Sequence, residues 1–526
     1  MTANWMNLGQ QFKLNAKKYP GKVSLKDRRR SFTFPQTNRR VNQLANGLLS
    51  LGLSKGDKIA VLLENSIEIV EVFLATAKTG LVIVPINFRL AVGDIEYIAG
   101  NSDAVAMIVH DQFAETVDSV KDRLENISSD HYLIVGEDRS GYRQYESFLQ
   151  SFADAEPPAD VKPEDAWILI YTSGTTGKPK GVVRSHASHV AFYLINAVDF
   201  GFNEHDVCLN VMPLCHINST FFTFTFTYIG ASVYIHPAIS FKAEEILEIV
   251  EREKISFISL IPTHYNLILN APESARQRDV SSIRKLLCSS APVRKSMKLA
   301  IMDFFKGVEL YEAYGSTEAG SVTILKPEYQ LRKLGSIGFE ILGTDFVKIL
   351  DEDGNEVGTG EVGELYSRGP MLFDEYYKLP EKTAASFRGE WFSAGDMARK
   401  DADGFFEIVD RKDNMIITGG EHVYPSEVEE IVGSHECVFD CACIGLPDDK
   451  WGEKVVAVVC KKTGEDADRV DDQAIIDCCR DKLAGFKRPK EVIFIDPDDM
   501  PRTPTGKILH RKLREKYHES GSKNKK

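Results

Sequence analysis

Residues Tyr171–Val182 read YTSGTTGKPKGV, and they follow a short apolar segment, Trp167–Ile170, that predicts a buried strand. Between Thr172 and Lys180 the stretch contains four hydroxyl side chains, two glycines and two lysines. Glycine lets a backbone approach an anion closely, hydroxyl and N–H groups donate hydrogen bonds, and lysine adds positive charge. This combination predicts a loop that binds a polyphosphate.

Two other interpretations of this loop are weaker. A P-loop requires the pattern G-x-x-x-x-G-K-[ST]. Here only two residues separate Gly174 from Gly177, and Pro179 follows Lys178 where Ser or Thr is needed. A flexible Gly/Ser/Thr linker is common, but it does not require so many hydroxyls and lysines in so short a stretch. A phosphate-binding loop of another kind is the favoured interpretation.

The sequence on both sides of this loop alternates between strand and helix patterns. Lys58–Leu63 predicts a buried strand, and Ser66–Thr79 predicts a helix that Gly80 ends. Phe257–Ile261 predicts another strand, and the segment 246–250 before it places its apolar residues on one side of a helix. Such alternation predicts an α/β fold of packed layers with largely parallel sheets.

The composition limits the class of protein. A chain of 526 residues exceeds the ~250–300 residues at which single cores stop growing, so at least two domains are expected. The net charge of −13 argues against nucleic acid or an anionic membrane as the main partner. The nine cysteines have neither zinc-site spacing nor a disulfide framework. No stretch is apolar for the ~20 residues that a membrane helix needs. We therefore expect a cytoplasmic protein without a membrane span.

The region past residue 412 predicts a compact α+β domain. Its helix and strand patterns are Pro425–Gly433, Val455–Lys461, Asp472–Leu483 and Glu491–Ile495. We therefore expect a large N-terminal domain of residues 1–412 and a smaller C-terminal domain of residues 413–526, each within or above the usual size of a domain.

Six further motifs follow the phosphate loop along the chain. They are Pro213–His216 (PLCH), Tyr314–Glu318 (YGSTE), Gly395–Asp396 within WFSAGD, Asp410–Asp413 (DRKD), Gly419–Glu429 (GGEHVYPSEVE) and Pro501–Lys507 (PRTPTGK). Together with TSGTTGKPKG they resemble the motifs of the adenylate-forming superfamily of acyl-CoA synthetases, amino-acid adenylation domains and firefly-type luciferases. The resemblance runs from about Lys26 to Lys512. It implies a large N-terminal domain of packed α/β layers and a small mobile C-terminal α+β domain, with the active site at their junction.

The resemblance assigns the first motifs to ATP and Mg²⁺. The residues that would hold the β- and γ-phosphates are Thr172, Ser173, Gly174, Thr175, Thr176, Gly177, Lys178 and Lys180. Within YGSTE, Tyr314 would pack on adenine, Thr317 would contact the α-phosphate and Glu318 would bind Mg²⁺. Gly315 and Ser316 would lie beside the same nucleotide.

Further nucleotide contacts are implied at three other places. Asp396 would accept hydrogen bonds from the ribose hydroxyls, a suitable role for a carboxylate with two acceptor oxygens. Arg411 would support the ribose from the domain junction. Ser290, Ala291 and Pro292 stand where the family often has the end of a Gly-Gly-Ala-Pro sequence. Without the resemblance, an Asp in a turn and an exposed Arg would be the ordinary interpretations.

The C-terminal motifs imply roles in both half-reactions. Lys507 would be the catalytic cation that stabilises charge during attack of a carboxylate on the α-phosphorus. Asp413 would be the hinge about which the smaller domain turns after adenylation. Gly419, Gly420 and Glu421 would then line the tunnel for the pantetheine arm of coenzyme A.

The acid pocket is the least determined part of the site. His216, Phe221, Phe222 and Phe224 are candidates for its wall, although the phenylalanines could equally fill the core. Ser289 and Ser290 would narrow the pocket relative to glycine. The alternation of Phe and Thr in residues 221–228 favours a strand, whereas the resemblance favours a helix, and we expect the helix.

We therefore expect an AMP-forming acyl-CoA synthetase that uses ATP, Mg²⁺ and coenzyme A on a small-molecule carboxylic acid. A short- or medium-chain acid or a cyclic or aromatic acid fits best. The alternative is an amino-acid or aryl-acid adenylation enzyme that loads a carrier protein. A non-catalytic nucleotide sensor is disfavoured because Glu318, Asp396 and Lys507 are all present. A homodimer is left open.

Overall fold

The computed structural model describes residues 7–158, 160–172, 178–289, 293, 295–342, 346–464, 470–502 and 508–523. The chain divides into two compact units. The first comprises Met1–Val347 and Ser367–Phe392, and the second comprises Lys348–Tyr366 and Ser393–Lys526. The predicted combination of a large α/β unit and a smaller C-terminal unit is confirmed. The domain boundary expected after residue 412 coincides with the hinge expected at Asp413, and both stay predictions.

The strands of the described residues fall into four sheets. The strands up to residue 340 are β1 (Val23–Lys26), β2 (Ser31–Thr33), β3 (Lys58–Leu62), β4 (Val82–Pro85), β5 (Ala104–His110), β6 (Tyr132–Val135), β7 (Arg143–Gln144), β8 (Ala166–Thr172), β9 (Lys180–Ser185), β10 (Val207–Asn210), β11 (Ser232–Ile235), β12 (Phe257–Leu260), β13 (Lys285–Cys288), β14 (Glu309–Ser316), β15 (Gly320–Leu325) and β16 (Phe339–Glu340). Later strands are β17 (Val347–Leu350), β18 (Gly363–Ser367), β19 (Glu375–Tyr376), β20 (Phe387–Arg388), β21 (Trp391–Lys400), β22 (Phe406–Arg411), β23 (Ile416–Thr418), β24 (Glu421–Val423), β25 (Val438–Asp448), β26 (Gly452–Lys461) and β27 (Glu491–Ile495).

Helices connect these strands. They are α1 (Leu8–Lys18), α2 (Phe34–Ser50), α3 (Ile67–Thr79), α4 (Val92–Asn101), α5 (Ala114–Asp118), α6 (Tyr145–Gln150), α7 (His186–Phe200), α8 (Ile217–Ile229), α9 (Ala243–Glu253), α10 (Pro262–Leu269), α11 (Glu273–Arg276), α12 (Lys295–Phe304), α13 (Pro380–Ala385), α14 (Pro425–Gly433), α15 (Asp472–Cys478) and α16 (His510–Lys523). None of the described helices is long and apolar enough to cross a membrane.

Helix α3 illustrates how local sequence sets an element. The Ser66 hydroxyl accepts a hydrogen bond from the Ile69 N–H and begins the helix. Gly80 ends it with a φ of 75°, a left-handed conformation that suits glycine. Both boundaries follow the sequence prediction. The helix expected for residues 221–228 is also confirmed, as part of α8.

Two large sheets form the first unit. Their strand orders are β16-β15-β14-β13-β12-β10-β11-β1-β2 and β19-β9-β8-β4-β3-β5-β6-β7. Strands β10 to β14 and β3 to β6 pair mainly in parallel, as predicted. The phosphate loop, PLCH, Ser289 and Thr317 all come directly or shortly after the carboxyl end of a strand, where α/β folds commonly bind ligands.

Two five-stranded sheets follow later in the chain. One has the order β17-β18-β21-β20, with β22 beside β21. The other lies in the second unit and has the order β24-β23-β26-β25, with β27 beside β26. The long β25–β26 pair carries a buried core on both faces, one of them against α14 and α15. The α+β character predicted for this region is confirmed.

Candidate active site

The two ends of the phosphate loop face each other across a strand pair. Strands β8 and β9 are antiparallel, and Thr172 pairs with Lys180. The Thr172 hydroxyl is buried and has no hydrogen-bond partner in the described part of the chain. Burial of a hydroxyl without a hydrogen-bond partner costs free energy, so the Thr172 hydroxyl is suited to donate to an acceptor atom of a ligand. Lys178 lies over the Tyr97 ring, 5.4 Å from its centroid. Residues 173–177 lie outside the described residues.

The YGSTE motif forms a tight turn between β14 and β15. The Ala319 N–H donates to the Ser316 hydroxyl at 3.0 Å, and Gly320 has a φ of 74°. A side chain at Gly315 would overlap the Gly320 carbonyl. Glycine at both positions therefore allows the hairpin to close, and the turn between them carries Thr317 and Glu318.

Glu318, Lys180 and Tyr376 form one hydrogen-bonded group. The Lys180 Nζ lies 2.8 Å from Glu318 Oε1 and donates to the Tyr376 hydroxyl at 2.8 Å. That hydroxyl donates to the same carboxylate oxygen at 2.8 Å. Burial would raise the pKa of Glu318, but the charge of Lys180 and these hydrogen bonds hold the pKa below its ordinary value. Glu318 is therefore an anion at neutral pH.

Arg184, on β9, supports the same turn from within the core. Its guanidinium donates to the carbonyls of Thr317 and Glu318 at 2.7 and 3.2 Å, and to Met371 at 2.6 Å. The residue has no exposed surface. Arg184 was not predicted as a site residue, although an arginine inside an otherwise apolar strand is a recognisable signal. Tyr376 was also missed, and no local pattern marks it.

His216 lies at the N-cap of α8, at the end of the PLCH segment. Asn65 holds this segment, because its side chain accepts from the Leu214 N–H at 2.7 Å and donates to the Met212 carbonyl at 2.8 Å. The His216 Nε2 is buried without a partner among the described groups. Burial and the nearby charge of Arg89 lower the pKa of His216 to about 4, so its ring is neutral at physiological pH.

A short line of polar side chains crosses the ends of β12 and β13. The Ser259 hydroxyl donates to Asn218 Oδ1 at 3.0 Å, and Asn218 Nδ2 donates to the Ser289 hydroxyl at 3.3 Å. Both serines are buried. A cavity of about 10 Å³, too small for more than a water molecule, lies beside Asn218 and Phe222. Residues 290–292 lie outside the described residues.

The candidate phenylalanines belong mostly to the core. Phe221 stacks on Phe192 with ring centroids 3.7 Å apart. Phe224 packs against Trp167 at 5.6 Å and has no exposed surface. Phe222 alone of the three borders the small cavity beside Asn218. The core interpretation therefore applies to Phe221 and Phe224.

In the second unit, Asp396 and Arg411 are neighbours. They pair across β21 and β22, and Arg411 Nε lies 2.6 Å from Asp396 Oδ1. Arg411 Nη1 also donates to the Ala394 carbonyl at 2.7 Å. Asp396 is buried, whereas Arg411 is partly exposed. The structure thus joins the two residues that the sequence assigned to the ribose.

The Gly419–Gly420 pair forms the two-residue turn between β23 and β24. Their φ angles are 62° and 85°, as a type I′ hairpin turn requires. The Gly419 N–H donates to the Trp451 carbonyl at 2.7 Å. A Cβ at Gly419 would lie 2.9 Å from the Trp451 ring, so glycine allows the ring to approach. Glu421 pairs with Thr418 and is exposed.

Asp413 lies in a 3₁₀ turn, Lys412–Asn414, after β22. Its carbonyl accepts a hydrogen bond from Arg514 of α16 at 2.6 Å. The segment that contains Lys507 leads into the same helix. Lys507 itself lies outside the described residues.

The chain matches two family models in sequence. One, described as AMP-binding enzyme, covers residues 12–377, and the other, described as AMP-binding enzyme C-terminal domain, covers residues 427–507. The chain belongs to the AMP-binding enzyme family. This membership confirms the resemblance to adenylate-forming enzymes that the motifs indicated.

Individual relatives place this AMP-binding enzyme in one branch. A feruloyl-CoA synthase of an Amycolatopsis species is 35% identical over 93% of this chain and 94% of that protein. A long-chain-fatty-acid–CoA ligase of Mycobacterium tuberculosis is 34% identical over 92% of this chain and 93% of its own. The crystal structure of an anthranilate CoA ligase in complex with anthranoyl-AMP has a TM-score of 0.88 and 28% identity, and covers 98% of each chain. This AMP-binding enzyme is an acid–thiol ligase of the acyl-CoA synthetase branch. It uses ATP and coenzyme A as reactants and Mg²⁺ as its metal.

The described residues of the AMP-binding enzyme fit these groups. Thr172 offers a buried hydroxyl with no hydrogen-bond partner among the described residues, and Lys180, which pairs with Thr172 from the other end of the loop, adds a cation. Glu318 offers a carboxylate that stays ionised, and Mg²⁺ commonly binds one or two carboxylates together with substrate phosphates. Mg²⁺ would neutralise phosphate charge, while the chain's own residues orient the reactants.

Proposed function

We propose that this acid–thiol ligase activates a compact cyclic or aromatic carboxylic acid. In the first step a carboxylate oxygen of the acid would attack the α-phosphorus of ATP, and pyrophosphate would leave. In the second step the thiol of coenzyme A would attack the acyl carbon, and AMP would leave with the oxygen that joined the two groups. No nucleophile from the protein is needed.

The Ser259–Asn218–Ser289 line is the observation that carries this proposal. Ser289 directly follows β13, where the resemblance places the acyl pocket. Its hydroxyl is held by Asn218, so the side chain cannot easily rotate away to open a long tunnel. A pocket closed by polar atoms favours a short acyl group, and those atoms could hydrogen-bond a substituent on a ring.

His216 supports the same size class. Its ring is neutral and buried, and its Nε2 lacks a partner among the described groups. A neutral imidazole can face an apolar ring, or it can form one hydrogen bond with a polar substituent on that ring. Two of the three named relatives are a feruloyl-CoA synthase and an anthranilate CoA ligase, whereas the third is named for long-chain fatty acids. Long-chain acids are therefore the competing hypothesis.

The roles of individual residues are part of the proposal. Thr172 to Lys180, with Tyr314 to Glu318, would bind the triphosphate, the base and Mg²⁺, and Asp396 with Arg411 would bind the ribose. Lys507 would act in adenylation only, and a turn about Asp413 would then bring Gly419–Glu421 to the adenylate. The Arg514 contact to the Asp413 carbonyl links helix α16 to this turn.

A panel of acids tests the substrate class. The values of kcat/KM are measured for benzoate, cyclohexanecarboxylate, 4-hydroxycinnamate, hexanoate, decanoate and palmitate. We expect the ring acids to be best, with several neighbours accepted, because one methylene is worth only ~1–3 kcal/mol. Palmitate as the best substrate would contradict the proposal.

Two variants test whether the serines close the pocket. Ser289→Gly together with Ser290→Gly should shift preference toward decanoate, and Ser281→Gly, on an exposed loop, is the matched control. An unchanged profile in the double variant would show that the serines do not set chain length.

Adenylate formation without thioester formation on coenzyme A would instead indicate an enzyme that loads a carrier protein.

A further inference from the structure

We propose that Arg184 is a positioning residue for adenylation, which holds the Thr317–Ala319 turn in a fixed position against β9, the strand that begins at Lys180. This inference rests on the proposed assignment of Thr317 to the α-phosphate and Glu318 to Mg²⁺. It does not depend on which acid the enzyme accepts.

Arg184 joins three segments that are far apart in sequence. It stands on β9, the strand that begins at Lys180 immediately after the phosphate loop. One guanidinium nitrogen donates to the carbonyls of Thr317 and Glu318, 133 and 134 residues away. The other donates to Met371, 187 residues away, on the segment that leads to Tyr376.

The same segments hold the Glu318 side chain. The Phe373 N–H donates to the Glu318 carbonyl at 2.7 Å, so Arg184 and Phe373 share that acceptor. Tyr376 and Lys180 bond the carboxylate. Backbone and side chain of Glu318 are thus tied to β9 and to the segment 371–376, with Arg184 at the point where they meet.

The charge of Arg184 indicates more than packing. Burial lowers the pKa of Arg184 to about 10, an effect that Asp374 partly opposes, so the guanidinium remains charged at neutral pH. Among the described residues its Nε is buried without a hydrogen-bond partner, and none of their ion pairs includes Arg184. The guanidinium carbon also lies 4.9 Å from the centroid of the Phe221 ring. A buried cation without an ion pair is expensive for stability alone.

The geometry also explains why arginine is used. A planar guanidinium presents several fixed N–H donors, whereas a lysine presents a compact point charge. The planar guanidinium therefore holds the two turn carbonyls with one nitrogen and the Met371 carbonyl with the other, at fixed relative positions. Since a misplacement of about 1 Å at a reacting centre can cost ~10²-fold in rate, the turn needs such a constraint.

Half-reactions of four variants test the inference. Pyrophosphate release from ATP and an accepted acid reports adenylation, and thioester formation from saturating acyl-adenylate reports the second step. We expect Arg184→Met to slow adenylation by ~10²-fold, to raise the Mg²⁺ concentration for half-maximal rate, and to affect the second step much less. Arg184→Lys should fall between Arg184→Met and wild type.

Glu318→Gln and Arg40→Lys are the references. Glu318→Gln should lose adenylation, and if it does not, the assignment of the turn fails and the Arg184 proposal falls with it. Arg40 is a half-buried arginine in ion pairs with Glu71 and Glu146, so its replacement should lower stability without separating the half-reactions. If Glu318→Gln is impaired while Arg184→Met is normal, or if Arg184→Lys loses both half-reactions equally, Arg184 does not position the turn. If Arg184→Met does not fold, the Mg²⁺ requirement and kcat of Arg184→Lys decide between these outcomes.

Discussion

Lys180 and Glu318 form an ion pair of 2.8 Å, although they lie 138 positions apart and each belongs to a different motif. The Tyr376 hydroxyl bonds both partners. Lys180 also lies over the Tyr376 ring, 4.0 Å from its centroid. The residue proposed to bind phosphate and the residue proposed to bind Mg²⁺ are therefore held by one tyrosine.

Tyr376→Phe should weaken this arrangement without removing either charge. Hydrogen bonds to charged groups are worth roughly 1.5–3 kcal/mol, so we expect adenylation to slow by about ten- to a hundredfold. Rates of pyrophosphate release over a Mg²⁺ titration measure the effect. Tyr377→Phe is the matched control, because the Tyr377 hydroxyl bonds Asp103 instead. Equal rates for the two variants would show that Tyr376 does not support Glu318.

Lys507→Ala should separate the two half-reactions. Lys507 is assigned to adenylation alone, and loss of one charge-stabilising donor typically costs ~10²–10³ in rate. Thioester formation from supplied acyl-adenylate should be largely spared. Lys512→Ala, in the exposed part of α16, is the control. Equal damage to both half-reactions would refute the assignment.

Local sequence determined several parts of the fold correctly. Ser66 and Gly80 mark the ends of α3 because capping depends on single side chains and single φ values. The motifs implied that Asp396 and Arg411 both contact the ribose, but they did not predict the ion pair between these two residues. By contrast, Arg184 and Tyr376 act through partners 58 to 196 positions away, and no local pattern reports such contacts.

Helix α8 shows why periodicity can mislead. Its Phe and Thr residues alternate as in a strand, yet nearly all are buried. A helix that is buried all round has no polar face to detect. Two of its threonines satisfy their hydroxyls within the helix: Thr225 donates to the Phe221 carbonyl at 2.8 Å, and Thr227 donates to the Thr223 carbonyl at 2.8 Å. The alternation therefore reflects core packing.

Gly419→Ala should impair thioester formation and spare adenylation. The substitution places a Cβ 2.9 Å from the Trp451 ring on a backbone with a φ of 62°, so the turn or the ring must shift. We expect a higher KM for coenzyme A, with pyrophosphate release unchanged. Gly404→Ala is the matched control, because its φ is 86° but a Cβ there meets nothing within 4 Å. An unchanged KM would mean that this turn is not near coenzyme A.

Stability should depend on pH through His186. Burial lowers the pKa of His186 to about 3, against an unfolded value of about 6.5. The unfolded chain then binds the proton more readily, so this contribution is full above pH 6.5 and is lost as pH falls toward 3. We expect His186→Gln to reduce the pH dependence of the unfolding free energy between pH 6.5 and 5 by up to about 1.4 kcal/mol per pH unit.

The control for this prediction is His205→Gln, because the His205 side chain is 82% exposed. Unfolding by urea at several pH values measures the slope for wild type and both variants. If His186→Gln keeps the wild-type slope, its ring does not carry the pH dependence.

An isotope measurement tests the central claim, that this ligase works through an acyl-adenylate. The acid is labelled with ¹⁸O in both carboxyl oxygens and converted with ATP, Mg²⁺ and coenzyme A, and the AMP is analysed by mass spectrometry. Attack of the carboxylate on the α-phosphorus predicts one ¹⁸O atom in each AMP and none in pyrophosphate. Unlabelled AMP, or formation of ADP in place of AMP, would contradict the account.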